Sequence, residues 1–131
     1  MIPLIVTVLT SEILLKRLTK YAINCQMLTL ILPRTEHNII YGKQLIRSSS
    51  SPAANYIEAI EAPTGKEFAH RLKVSRKETR ETNYWLEIIK ETNLKELKVG
   101  SRCDELISEG TELMTSSLSY KVGFLSKEDD I

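Results

Sequence analysis

The sequence predicts an all-α protein folded as one antiparallel, up-down-up-down four-helix bundle. Two observations carry this reading. Apolar residues recur at steps of three and four along four segments, as they do when a helix buries one face. Glycine and proline are scarce, five and four in 131 residues, and Pro33 and Pro63 stand between periodic segments rather than inside them. At 42% hydrophobic and 27% charged residues the composition is that of an ordinary globular chain. A chain of this length buries a core without help from a disulfide or metal, so residues 1–131 are read as a single domain.

The first helix is expected over about residues 11–32, with Ser11 as its N-cap and Pro33 as its stop. Leu14, Leu18, Tyr21, Cys25, Leu28 and Leu32 form its apolar stripe. The apolar run before it, Ile2 to Leu9, lacks the basic start of a signal peptide and is too short to span a bilayer. That run is expected to pack on the bundle or on a neighbouring chain.

The second helix is expected over about 37–62. Ile39, Gly42, Ile46, Ser49, Ala53, Tyr56 and Ile60 repeat with a seven-residue period, which predicts the buried side. Its middle, Ser48 to Ser51 followed by Pro52, reads locally as a linker. The period continues on both sides, which favours one helix bent at Pro52.

The third helix is expected over about 65–93. Thr64 and Glu67 have capping-box spacing, and Asn93 suits a left-handed C-terminal residue. Its inner stripe is Phe68, Leu72, Ser75, Thr79, Thr82, Leu86 and Ile89, small and hydroxylated at the centre like the middle of the second helix. Glu67–Arg71 and Lys77–Glu81 are spaced to pair on the outside. Residues 94–101 read as a loop. The fourth helix is then expected over about 102–122, with Ile107, Met114 and Leu118 inward and Leu106 and Leu113 beside them.

The formal net charge of +1 gives no global argument for nucleic acid. Charge is uneven along the chain: residues 1–50 hold six Lys/Arg against two Glu, and residues 101–131 three against seven Asp/Glu. Cys25 and Cys103 lie far apart without metal-like partners, so free thiols in a reducing cytoplasm are expected.

The wording of the second and third helices is similar to a known family. Gln44 to Ser51, Ala54 to Ala59, Lys66 to Phe68 and Arg76 to Leu86 resemble the bacterial four-helix-bundle proteins of 23S ribosomal RNA intervening sequences. A related branch is the accessory protein of diversity-generating retroelements. The resemblance runs from about Tyr41 to Ile89. It implies a ring-like homo-oligomer, typically a homopentamer, without catalytic residues. In the retroelement branch it implies association with reverse transcriptase and with RNA or DNA.

Candidate sites are few. Arg47, Asn55, Glu58, Arg80 and Glu81 are polar residues on helices that must pack, so they are candidates for an interhelix or oligomer network, with Arg47 or Arg80 paired to Glu58 or Glu81. Tyr84 and Trp85 are adjacent and cannot share a helix face, so one of them is a candidate interface anchor. Lys16, Arg17 and Lys20 are candidate nucleic-acid contacts; the cations of the third helix are interleaved with glutamates and read as a mixed-charge face. Glu67 and His70 have the Glu-x-x-His spacing once only, short of a di-metal bundle site. No serine has a base or strand-to-helix elbow beside it, and the glycines form no phosphate loop. The sequence therefore predicts no metal, cofactor, small-molecule substrate or membrane span. The expected task is a non-enzymatic structural or adaptor role, with a nucleic-acid or reverse-transcriptase accessory as the alternative and an enzyme last.

Overall fold

The computed structural model describes residues 4–117, with the side chains of residues 11–115. Four helices and no strand are present among the described residues: α1 (Leu4–Thr29), α2 (Glu36–Ile60), α3 (Gly65–Glu91) and α4 (Leu97–Glu112), the last continuing into a π-helical segment, Leu113–Ser117. Each helix packs on its neighbours in sequence, α1 also meets α4, and the α2–α3 seam is the most extensive. No helix among the described residues is long and apolar enough to cross a membrane.

The apolar stripes of α1 and α3 lie where periodicity puts them. Leu14, Leu18, Tyr21, Cys25, Leu28 and Leu32 are all buried, as are Leu72, Ser75, Thr79, Thr82, Leu86 and Ile89. At the start of α3 the Thr64 hydroxyl accepts the Glu67 amide at 3.1 Å. Thr35 does the same for Asn38 at 3.2 Å at the start of α2, satisfying a helix-start donor that has no partner within the helix.

Helix α2 runs unbroken through Pro52, with Ser48 and Ser49 buried. The serine-rich centre is therefore core. Small side chains let α2 approach α3 closely, and their hydroxyls are satisfied across or along the seam. Ser75 donates to the Pro52 carbonyl at 2.9 Å, and the Thr82 and Ser48 hydroxyls stand 2.9 Å apart.

Four expectations are corrected. Ser11 is not a cap: α1 begins at Leu4, and residue 11 lies within it. The buried side of α2 is turned from the predicted one. Asn38, Gly42, Leu45, Ser48, Ser49, Pro52, Tyr56 and Ala59 face inward, while Ile39, Ile46 and Ile60 are exposed. Asn93 has no positive φ; its side chain is buried and exchanges 2.9 Å hydrogen bonds with Asn38 in both directions, fastening the end of α3 to the start of α2. Residues 97–101 are helix rather than loop, so α4 starts five residues early and buries Val99 as well as Cys103. With that start the inner line of α4 is Val99, Cys103, Leu106, Gly110 and Leu113; Ile107 and Met114 are half-buried, and Leu118 and residues 119–122 lie outside the described residues. A Cβ at Gly110 would collide with Asn83 Oδ1 and crowd the Tyr21 hydroxyl, which donates to that same oxygen at 2.9 Å.

Candidate functional site

Helical spacing builds a polar and aromatic strip along the outer edge of the α2–α3 seam. His37, Tyr41 and Gln44 follow one another at four- and three-residue steps on α2, with Arg47 three further on; Glu78, Glu81 and Trp85 do the same on α3. Arg47 lies between the two rows. Its guanidinium pairs closely with Glu81, approaches Glu78 Oε2 at 3.6 Å and donates to Gln44 Oε1 at 3.0 Å. Glu78 Oε2 is buried without a hydrogen bond among the described residues, and this long contact to Arg47 offsets its burial in part. Trp85 donates its indole N–H to Glu81 at 3.0 Å and stacks on Tyr41 with ring centroids 6.0 Å apart. His37 lies 6.0 Å beyond Tyr41, and Tyr84 meets the edge of Trp85 at 5.1 Å. Tyr84 is 57% exposed, whereas Trp85 is half-buried.

The remaining polar candidates separate. Asn55 is half-buried, donates to the Ser51 carbonyl and hydroxyl, and accepts from Arg71 of α3 at 3.2 Å. Arg71 thus turns to α2 rather than to Glu67, and Glu81 turns to Arg47 rather than to Lys77. Glu58 and Arg80 are exposed and outside the strip. Of the three candidate cations on α1, Lys16 and Lys20 are exposed. Arg17 is held by α4 instead, in a two-pronged contact with Glu109 (2.6 and 3.2 Å) and a further one with Glu112 at 3.1 Å. The hydrogen bond to Glu109 raises its pKa further, and its fork is spent on this contact.

Beside this clamp α1 and α4 part into an open groove of about 480 Å³, floored by Tyr21, Leu28 and Leu106 and rimmed by Lys20, Lys98, Arg102, Glu105 and Glu109. Both cysteines are free and buried. Burial pushes each thiol up to about 12, far from the range in which a thiol acts as a nucleophile at neutral pH. No group of three or more His, Cys, Asp or Glu among the described residues is placed to hold a metal ion. Sequence reasoning missed the Asn38–Asn93 pair and the aromatic row begun by His37 and Tyr41. A four-residue step was the available signal for the row; nothing local announces the pair.

The family model described as 23S rRNA-intervening sequence protein matches residues 13–116. Among solved structures, the chain is similar to a crystal structure of a protein with unknown function from the S23 ribosomal protein family of Bacteroides thetaiotaomicron. The TM-score is 0.62 at 22% identity, covering 82% of this chain and 99% of that one. No curated protein matches the sequence. The family match covers all of α2, α3 and α4 together with most of α1, the whole set of helices that builds the strip and the core, and the chain belongs to the 23S rRNA-intervening sequence protein family.

Proposed function

We propose that the protein is a non-enzymatic, self-associating scaffold: an antiparallel up-down-up-down bundle that assembles with copies of itself into a ring and serves as a structural or adaptor module. The observation that carries this is the outward side of α2. Three isoleucines of its strongest apolar period, Ile39, Ile46 and Ile60, are exposed, and Ile57 joins them, while Ala53 between them is half-buried against the core. Ile23, Met27 and Leu30 extend the apolar surface onto α1. Between the two helices runs a shallow groove of about 210 Å³ lined by Ala22, Ile23, Ile46 and Ala53. Contiguous apolar surface of this kind marks contact with another chain. The cross-seam contacts of Pro52 with Ser75, Ser48 with Thr82 and Asn38 with Asn93 descend in opposite order along α2 and α3, which supports the antiparallel arrangement.

The test is molar mass in solution by light scattering, with the double variant Ile46→Glu/Ile57→Glu beside the parent. A multimeric parent and a folded monomeric variant support the reading. A parent that is monomeric at micromolar concentration refutes it. A reverse-transcriptase partner is the second reading, favoured by the exposed Lys16 and Lys20. Co-purification with such an enzyme, lost on reversing both charges, is its test.

A further inference from the structure

The outer face of α3 carries a row of cations that the strip has stripped of its acids. At helical spacing, Lys66, His70, Lys73, Arg76, Lys77, Arg80 and Tyr84 fall within one arc opposite the buried stripe, and all seven are exposed. The glutamates that interleave them in sequence do not share the arc. Glu78 and Glu81 turn toward α2, where Arg47 takes them up. Glu67 stands at the cap, on the α2 side of the helix. Glu87 re-enters the arc only beyond Tyr84. Lys73, Arg76, Lys77 and Arg80 make no ion pair or hydrogen bond among the described residues. The mixed-charge face read from the sequence is thus sorted in space into an acidic inner edge and a basic outer ridge about 25 Å long.

We propose that this ridge binds a single-stranded nucleic acid, the cations tracking consecutive phosphates and Tyr84 stacking on a base. Positive charge that tracks the backbone, together with an exposed ring on which a base can stack, is the combination that holds single strands without reading sequence. The arc is a single row of cations without the paired rows that both strands of a duplex would engage, and it has no large apolar side chain for a lipid surface to receive. The ridge is separate from the apolar α1–α2 face, so this binding does not depend on self-association.

The probe is a fluorescein-labelled oligouridylate of about 12 nucleotides, followed by anisotropy on the full chain across a salt series. The expected log–log slope is about −2 to −3, since each neutralised phosphate on a single strand contributes about −0.7. Lys73→Glu/Lys77→Glu is expected to weaken binding at least roughly tenfold at low salt and to flatten the slope by about half. Tyr84→Ala is expected to cost roughly fivefold or more, with Tyr84→Phe restoring the affinity. Circular dichroism and molar mass confirm that these surface variants are folded, and Lys77→Ala/Arg80→Ala repeats the test if the charge reversal is not. The proposal is overturned by a flat salt series, by an unchanged affinity in a folded double variant, by an equal loss in Lys16→Glu/Lys20→Glu, or by a duplex that binds as tightly with Tyr84→Ala silent.

Discussion

The α2–α3 and α1–α4 seams join helices of one core by opposite means. Along α2–α3 the facing residues are small and hydroxylated, the helices lie close, and Ser48, Ser75 and Thr82 each find a partner inside the seam. Along α1–α4 the facing residues are larger, Tyr21, Leu28 and Leu106, and the helices part into the open groove, bridged at the rim by Arg17 with Glu109 and Glu112. A close seam fixes register because every slip breaks a hydrogen bond in a place water cannot repair. An open seam held by half-exposed charges tolerates adjustment, since such pairs contribute little. The first seam therefore sets the fold, and the second leaves α4 adaptable.

Truncating matched leucines gives the largest test of this contrast. Leu86 is fully enclosed, and Leu106 floors the open groove. Leu86→Ala should cost about 3–5 kcal/mol and Leu106→Ala nearer 2, because the groove side can relax or admit water. Urea denaturation of both variants measures it. Equal losses would abolish the distinction between the seams.

The buried amide pair comes next. Asn93→Leu leaves the Asn38 amide without its reciprocal partner, although one donor contact to the Pro33 carbonyl remains at 2.9 Å. The expected cost is about 1–3 kcal/mol. In a double-mutant cycle with Asn38→Leu, the second change should restore part of that loss. Strict additivity would show that the two amides act independently and do not fasten α3 to α2.

These two tests also mark what the sequence made legible. Leu86 lies on a stripe that periodicity alone identifies, and Thr64 announces its cap by the Glu three residues on. Part of the inner face of α2 is legible in its seven-residue period, as Gly42, Ser49 and Tyr56, but Asn38, Ser48 and Pro52 are not, because small or polar core residues carry little signal while the isoleucines of that period point outward. The start of α4 is not legible because Leu97 to Ser101 has one buried residue, Val99, the half-buried Gly100 and otherwise exposed residues, and no side-chain cap. Asn93 was read as a local cap because its true partner is 55 residues away. Charges on α3 looked mixed when counted along the chain and separate only when their angle about the helix is considered.

The thiols probe how dry the core is beneath the groove. Both fold with the thiol raised by burial to about 12, above the ordinary value of 9.0. Between those values the unfolded chain has lost protons that the folded chain keeps, so stability is whole below pH 9 and falls as pH rises toward 12. The loss should reach about 1 kcal/mol for each thiol at pH 10. Denaturation midpoints at pH 7 and pH 10 read it, with Cys25→Ala/Cys103→Ala as the variant in which the difference shrinks. An unchanged pH dependence in that variant would mean that water already reaches the thiols.

The smallest effect is expected where the α1–α4 seam looks most firmly tied. Arg17 reaches two glutamates in geometry that by itself suggests a strong clamp. Its side chain and that of Glu109 are each one-third exposed, however, and Glu112 is more exposed still. Solvent screens such a network, and fixing a long side chain costs rotamer entropy that offsets the attraction. Arg17→Ala should therefore lower stability by no more than about 1 kcal/mol, and the loss should shrink further in high salt. A larger, salt-insensitive loss would mean that the Arg17 stem packs as part of the core and that α4 is as firmly held as α2. The contrast between a fixed seam and an adaptable one would then give way to a bundle closed evenly on all sides.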